Sequence, residues 1–263
     1  MSRRPIDQIA ANGAIAQNAP AKLGRPAGAA GSNTALQSGN GPRPQPTAAV
    51  PDEQQAALAR ELASRAATLD ELREAMASFD GCNLKFTAKH LVFADGNPEA
   101  GVMFVGEAPG RDEDIEGRPF VGRSGQLLDR MLAAIGLDRT SAYIANVIPW
   151  RPPGNRTPTP HETEICRPFI ERQIELVAPK LLVTLGGASA KVLLSTPDGI
   201  MRLRGNWRAY AMRSGETIPV MPTLHPAYLL RNPAHKKLAW RDFLEVKAKL
   251  RELGVMAPAA PPG

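Results

Sequence analysis

Cysteine is scarce in this chain. Cys82 and Cys166 are the two among 263 residues, too few for a disulfide scaffold and in keeping with a reducing, cytoplasmic compartment. Aromatic residues make up 5% and none precedes Phe79, so the first 78 residues have no large ring around which to build a core. No apolar run approaches the ~18 residues that span a bilayer, and the N-terminus lacks a secretory-type apolar segment, so neither membrane insertion nor secretion is expected. Acidic residues are outnumbered. The net charge is +6 with a pI near 9.6, which is compatible with a nucleic-acid partner.

The composition shifts along the chain. Residues 1–52 are built largely from Ala, Pro, Gly, Asn, Gln and Ser, a mixture that buries too little surface to offset its ordering entropy, and they read as a disordered tail. Residues 53–78 read as one amphipathic helix, with Ala57, Leu58, Leu62, Ala66, Leu69, Leu72, Ala75 and Met76 at three- and four-residue steps. A domain over 79–253 follows, and 254–263 read as a second tail. Within the domain, four apolar runs (102–105, 142–148, 181–185 and 218–223) alternate with helical patterns at 126–135, 162–177 and 188–194. That order predicts an α/β fold, a parallel sheet with helices on both faces. Positive charge concentrates late: between Gly199 and Arg241 eight basic residues face one acid, Glu216.

In a parallel sheet the loops after successive strands emerge at one edge, so distant segments converge there. The first is Gly106-Glu107-Ala108-Pro109-Gly110, a stiff turn that carries a carboxylate. It matches neither GxGxxG nor GxxxxGK[ST], and Pro109 has no N–H for a phosphate, so it reads as a turn aiming Glu107 into a pocket. The second begins at Asn146 and runs into Arg151-Pro152-Pro153-Gly154-Asn155-Arg156, a rigid basic loop suited to phosphates. The last is the stretch from His225 to Arg231. His225 precedes a proline, which biases it away from helix. Leu229 and Leu230 on this basic loop suit wedges for a DNA base stack. Phe120, between Pro119 and Gly122, offers a stacking platform. Asn146 could instead cap a turn, and His225 could be structural. Asp112, Glu113, Asp114 and Glu116 read as solvated residues at a helix start, and Thr159 as the cap of the helix that begins near His161. Ser124 and Ser189 sit in no GxSxG elbow, which argues against a serine hydrolase.

From about Phe79 to Leu250 the chain resembles the family 4 (type-4) uracil-DNA glycosylases. The resemblance rests on five motifs in order: residues 106–110, Pro119-Phe120-Val121-Gly122, Asn146 with 151–156, Pro179-Lys180 before Leu185-Gly186, and His225-Pro226-Ala227. It implies a three-layer αβα sandwich on a central four-stranded parallel sheet, acting as a monomer on uracil-containing DNA. It implies that Asn146 pairs with uracil, that Gly106, Ala108 and Phe120 line the base site, and that Glu107 and His225 are catalytic. Glu107 is left to orient water or to stabilise the sugar cation, and His225 to donate to the uracil carbonyl. Arg151, Arg156, Leu229, Leu230 and Arg231 then contact DNA. The family holds a 4Fe-4S cluster on four cysteines. Here Cys82 and Cys166 match two of those positions while Phe79 and Trp150 stand at the others, so no cluster is expected. Two other readings remain: a binder of uracil or single-stranded DNA without turnover, and a metal-dependent nuclease using Glu107, Asp112 and Asp114.

Overall fold

A computed structural model describes residues 52–257. The tail read over 1–52 lies outside the described residues apart from Asp52. Where one long helix is expected there are two, α1 (Asp52–Arg65) and α2 (Leu69–Ser78). The break is made by Thr68, whose hydroxyl accepts the Glu71 N–H, while the Glu71 carboxylate accepts the Ala67 N–H. Thr68-Leu69-Asp70-Glu71 is the T-x-x-E signature of a helix start, a local signal that competes with the continuous apolar stripe.

Six strands follow the order β1-β3-β2-β4-β6-β5. They are β1 (Asp95–Gly96), β2 (Val102–Gly106), β3 (Tyr143–Asn146), β4 (Leu181–Leu185), β5 (Arg208–Ala211) and β6 (Thr217–Thr223). The four central strands pair in parallel, as the α/β reading expects. The correction lies at the margins, where β1 and β5 add an antiparallel strand at each edge. Neither is legible as an apolar run, because edge strands bury little: in β5 one residue of four, Tyr210, is buried.

The central strands are buried on both faces, which is why they read as continuous apolar runs. Met103, Val105, Tyr143, Leu182 and Val220 face one core layer, shared with Leu72 and Met76 of α2 and Phe169 and Ile174 of the helix Pro160–Val177. Val102, Phe104, Ile144, Val183 and Met221 face the other, filled by Leu128 and Leu132 of the helix Arg123–Ile135 and by Phe243 and Val246 of a C-terminal helix, Lys236–Glu252. The chain stays packed beyond residue 253, since Val255 and Met256 lie against this second layer. No helix among the described residues is long and apolar enough to cross a membrane.

Candidate active site

The carboxyl ends of β2, β3 and β6 open onto a pocket of about 370 Å³. Gly106 at the end of β2 is in register with Asn146 at the end of β3. The ladder continues into the turn, with Val147 N–H donating to Gly106 O and Ile148 N–H to Glu107 O, both at 3.0 Å, so the Glu107 turn is tied to the Asn146 strand. A Cβ on Gly106 would stand 2.4 Å from Asn146 Oδ1 and 2.6 Å from Phe120 Cζ. Glycine is required because a carboxamide and a ring both lie against this backbone. Asn146 is 5% exposed and its Oδ1 has no hydrogen-bond partner among the described residues. A buried amide oxygen left unpaired costs about 1–3 kcal/mol, a penalty that a ligand donor removes.

Phe120 stacks on His225, ring centroids 5.5 Å apart and planes at 30°. His225 caps the short helix Pro226–Arg231, and the Ala227 N–H donates to its Nδ1 at 3.1 Å. That bond assigns the ring hydrogen to Nε2. Burial, with a smaller push from the Arg231 guanidinium, lowers the imidazole pKa to about 4, so the ring is neutral at ordinary pH. Glu107 is half-buried, and desolvation raises its carboxyl above the usual range. Ala108, Ser124, Arg156 and Arg231 also line the pocket.

Other residues sit differently from expectation. Leu229 is 1% exposed and packs with Leu127, Leu224 and Ala239, so it anchors the Pro226–Arg231 helix instead of wedging DNA. Leu230 is half-buried and Arg231 exposed, and these two remain at the surface. Arg156 holds Glu162 through two bonds of 2.8 and 2.6 Å, lowering that carboxyl to about 2. Glu162 also completes the cap of the Pro160–Val177 helix, with Thr159 accepting its N–H as expected. Arg151 bonds Asn155 Oδ1 at 2.7 Å and lies 3.8 Å from Asp114.

The acids after the turn are corrected too. Glu113 and Asp114 are buried, not solvated. Asp114 accepts the Lys89 and His90 backbone N–H groups, and Glu113 accepts three, from Gly110, Val121 and Gly122. Their partners lie up to 25 residues away, and of these bonds only the one from Gly110 to Glu113 belongs to a local helix-start pattern. Among the described residues no group of three or more His, Cys, Asp or Glu side chains is placed to hold a metal, so Asp112 and Asp114 do not join Glu107 in one. The basic stretch is also partly paired with acids: Arg202 with Asp198 at the surface, Arg204 with buried Asp242, and Arg213 with Glu171 and Glu175.

An iron–sulfur cluster does not fit the residues present. Phe79 and Trp150 are each 2% exposed, and the Phe79 ring meets Phe169 edge-on at 5.2 Å. Cys82 and Cys166 are buried free thiols with Sγ atoms 3.7 Å apart. Their mutual hydrogen bond lowers Cys82 and raises Cys166. Two sulfurs beside two buried rings leave a four-thiolate cluster two ligands short.

A pocket at the carboxyl edge of a doubly covered parallel sheet, holding a carboxamide, an aromatic platform and a neutral imidazole, defines an α/β protein built to take a planar nucleobase. The model of the uracil DNA glycosylase superfamily matches residues 93–244. A type-4 uracil-DNA glycosylase of Sulfurisphaera tokodaii is 41% identical over 193 residues, 72% of this chain and 86% of its own. One of Archaeoglobus fulgidus is 40% identical over 184 residues, 68% and 92% of the two chains. A third, of Thermotoga maritima, is 36% identical over 194 residues, 73% and 99% of the two chains. The chain belongs to the type-4 uracil-DNA glycosylase family.

Proposed function

We propose that this chain removes uracil from DNA, taking the base out of the stack into the strand-end pocket and hydrolysing its N-glycosidic bond to leave an abasic site. The observation that carries the reading is the buried, unpaired Asn146 oxygen. Uracil supplies N3–H as the missing donor and O4 as the acceptor for the amide N–H₂, whereas cytosine presents an acceptor and a donor in the reverse order. Phe120 stacks on the base. His225 donates Nε2–H to the uracil carbonyl where negative charge gathers, a bond that strengthens in the transition state. Glu107 has no side-chain hydrogen bond or ion pair among the described residues and holds the attacking water. The water oxygen bonds to the sugar carbon, the glycosidic pair of electrons leaves on the uracil ring, and the Glu107 carboxylate takes the water's proton.

Leu230 fills the gap left by the flipped base, while Arg151 and Arg231 meet phosphates. Arg156, engaged with Glu162, shapes the rim. No cluster takes part, Phe79 and Trp150 serving as apolar packing. The chain works as a single copy, Glu107, Phe120, Asn146 and His225 of one chain being sufficient for the chemistry proposed. It works in the cytoplasm, where two free thiols 3.7 Å apart stay reduced. Incubating a uracil-containing oligonucleotide with the protein in EDTA tests the activity. An abasic product supports it. Retention without product, or strand cleavage restored by a divalent metal alone, overturns it.

A further inference from the structure

Phe120 has φ near +54°, the left-handed region that a residue with a bulky ring rarely adopts. Such strain persists where the surroundings over-determine it, and it gathers at functional sites. Two side chains from different parts of the chain grip the backbone of this loop from opposite sides. On the amide side, Glu113 Oε1 accepts the Val121 and Gly122 N–H groups at 3.1 Å each, and its Oε2 accepts the Gly110 N–H at 3.1 Å. On the carbonyl side, Arg139 donates Nη1 to Pro119 O at 3.2 Å and Nη2 to Phe120 O. Arg139 is itself fixed, by Asp95 at 2.5 Å and Asp129 at 2.9 Å. The turned carbonyl also needs room. A Cβ on Gly125 would stand 1.6 Å from Phe120 O, so only glycine permits the conformation.

We propose that Arg139 is a positioning residue for uracil excision: by holding the Pro119 and Phe120 carbonyls it keeps Phe120 left-handed, with its ring over Gly106 and against His225. This rests on the reading of Phe120 as the platform for uracil. Arg139 does not line the pocket, so whatever it contributes to the reaction passes through the Phe120 loop. Release of the carbonyl lets φ relax to negative values and carries the ring off Gly106. The opposite grip by Glu113 cannot prevent this, because it holds the amides after Phe120 and leaves the peptide before it free. Lysine cannot replace Arg139, since one ammonium lacks the planar fork that reaches two carbonyls and two carboxylates together.

A double-mutant cycle tests the proposal. Single-turnover uracil release and DNA affinity are measured for the parent, Arg139→Lys, Phe120→Ala and the double variant. Arg139→Lys is expected to slow release about 10- to 100-fold while affinity for uracil DNA changes little. In the Phe120→Ala background the same change is expected to slow it less than about twofold, because no ring remains to be positioned. Equal losses in the two backgrounds, or an Arg139→Lys variant as fast as the parent, overturn the proposal. Should Arg139→Lys not fold, Asp95→Asn removes an anchor of the same guanidinium and goes through the same cycle with the same criteria. A parent that releases no uracil overturns the functional reading, and the proposal with it.

Discussion

At the scale of single residues, the pocket is a set of unsatisfied or displaced chemical states. Asn146 carries an unpaired buried oxygen, His225 a ring kept neutral, and Glu107 a carboxyl that resists ionisation. Asn146→Asp replaces a donor–acceptor pair with a group that only accepts. It is expected to weaken discrimination of uracil from cytosine, and a variant that cleaves uracil DNA as well and as selectively as the parent contradicts the assignment. The pH profile follows from signs. His225 titrates at about 4, so its neutral form, with Nδ1 accepting from the Ala227 N–H, is complete well below pH 6.5 and excision shows no inflection there. Stability moves in the same direction: the unfolded chain takes a proton near 6.5 and the folded one near 4, so the stabilisation from His225 is present above 6.5 and is lost as pH falls toward 4. In the proposed step Glu107 takes a proton and so must be ionised, and its raised pKa means that its limb ends activity first on acidification. In Glu107→Gln the slow residual rate is expected to hold to lower pH before the His225 limb appears. An acid limb in the same place for parent and Glu107→Gln removes Glu107 from that role.

At the scale of elements, adjacent residues on one short helix have opposite duties. The Pro226–Arg231 helix turns Leu229 inward onto Leu127 and Ala239 and leaves Leu230 half-buried at the surface. Leu229→Ala opens a cavity in a packed cluster and is expected to destabilise the fold by about 2–5 kcal/mol, read as a lowered melting temperature. Leu230→Ala is expected to leave melting nearly unchanged while slowing uracil release from duplex DNA more than from single strands, where no base pair needs opening. The reverse pattern in the two variants rejects this division. The strand ends behave similarly. Thr223 at the end of β6 donates to buried Asp242 at 2.7 Å, and Asp242 also holds Arg204, so the segment leading to His225 is tied to the C-terminal helix.

At the scale of the molecule, helices cover both faces of the sheet, and the positions where cluster ligands would stand, Phe79, Cys82, Trp150 and Cys166, share one of the two core layers. Iron analysis of anaerobically purified protein is expected to find no stoichiometric iron and no visible cluster absorbance, and either signal overturns the apolar-packing reading. Phe79→Ala is expected to lower stability by about 3–5 kcal/mol, as loss of a buried ring does. Much of this architecture was legible beforehand. The four parallel strands announced themselves because burial on both faces makes each a continuous apolar run, and the motifs at residues 106–110, 146 and 225 are local in sequence. The helix break at Thr68 was present as a capping signature, yet an apolar stripe of the same period ran across it. Edge strands β1 and β5 left no comparable trace, having little apolar surface to hide. What the chain determined by itself was the kind of sheet and the chemistry at its edge, since both depend on spacing along a few residues. Tertiary structure alone decided which leucine faces inward, which arginines are occupied by acids, and that Glu113 and Arg139 grip the loop of Phe120. Those outcomes depend on the direction of a helix face or on partners outside a local motif, eight and nine residues away for Glu113, 19 for Arg139 and 38 for Arg204, and only the packed chain brings them within bonding distance.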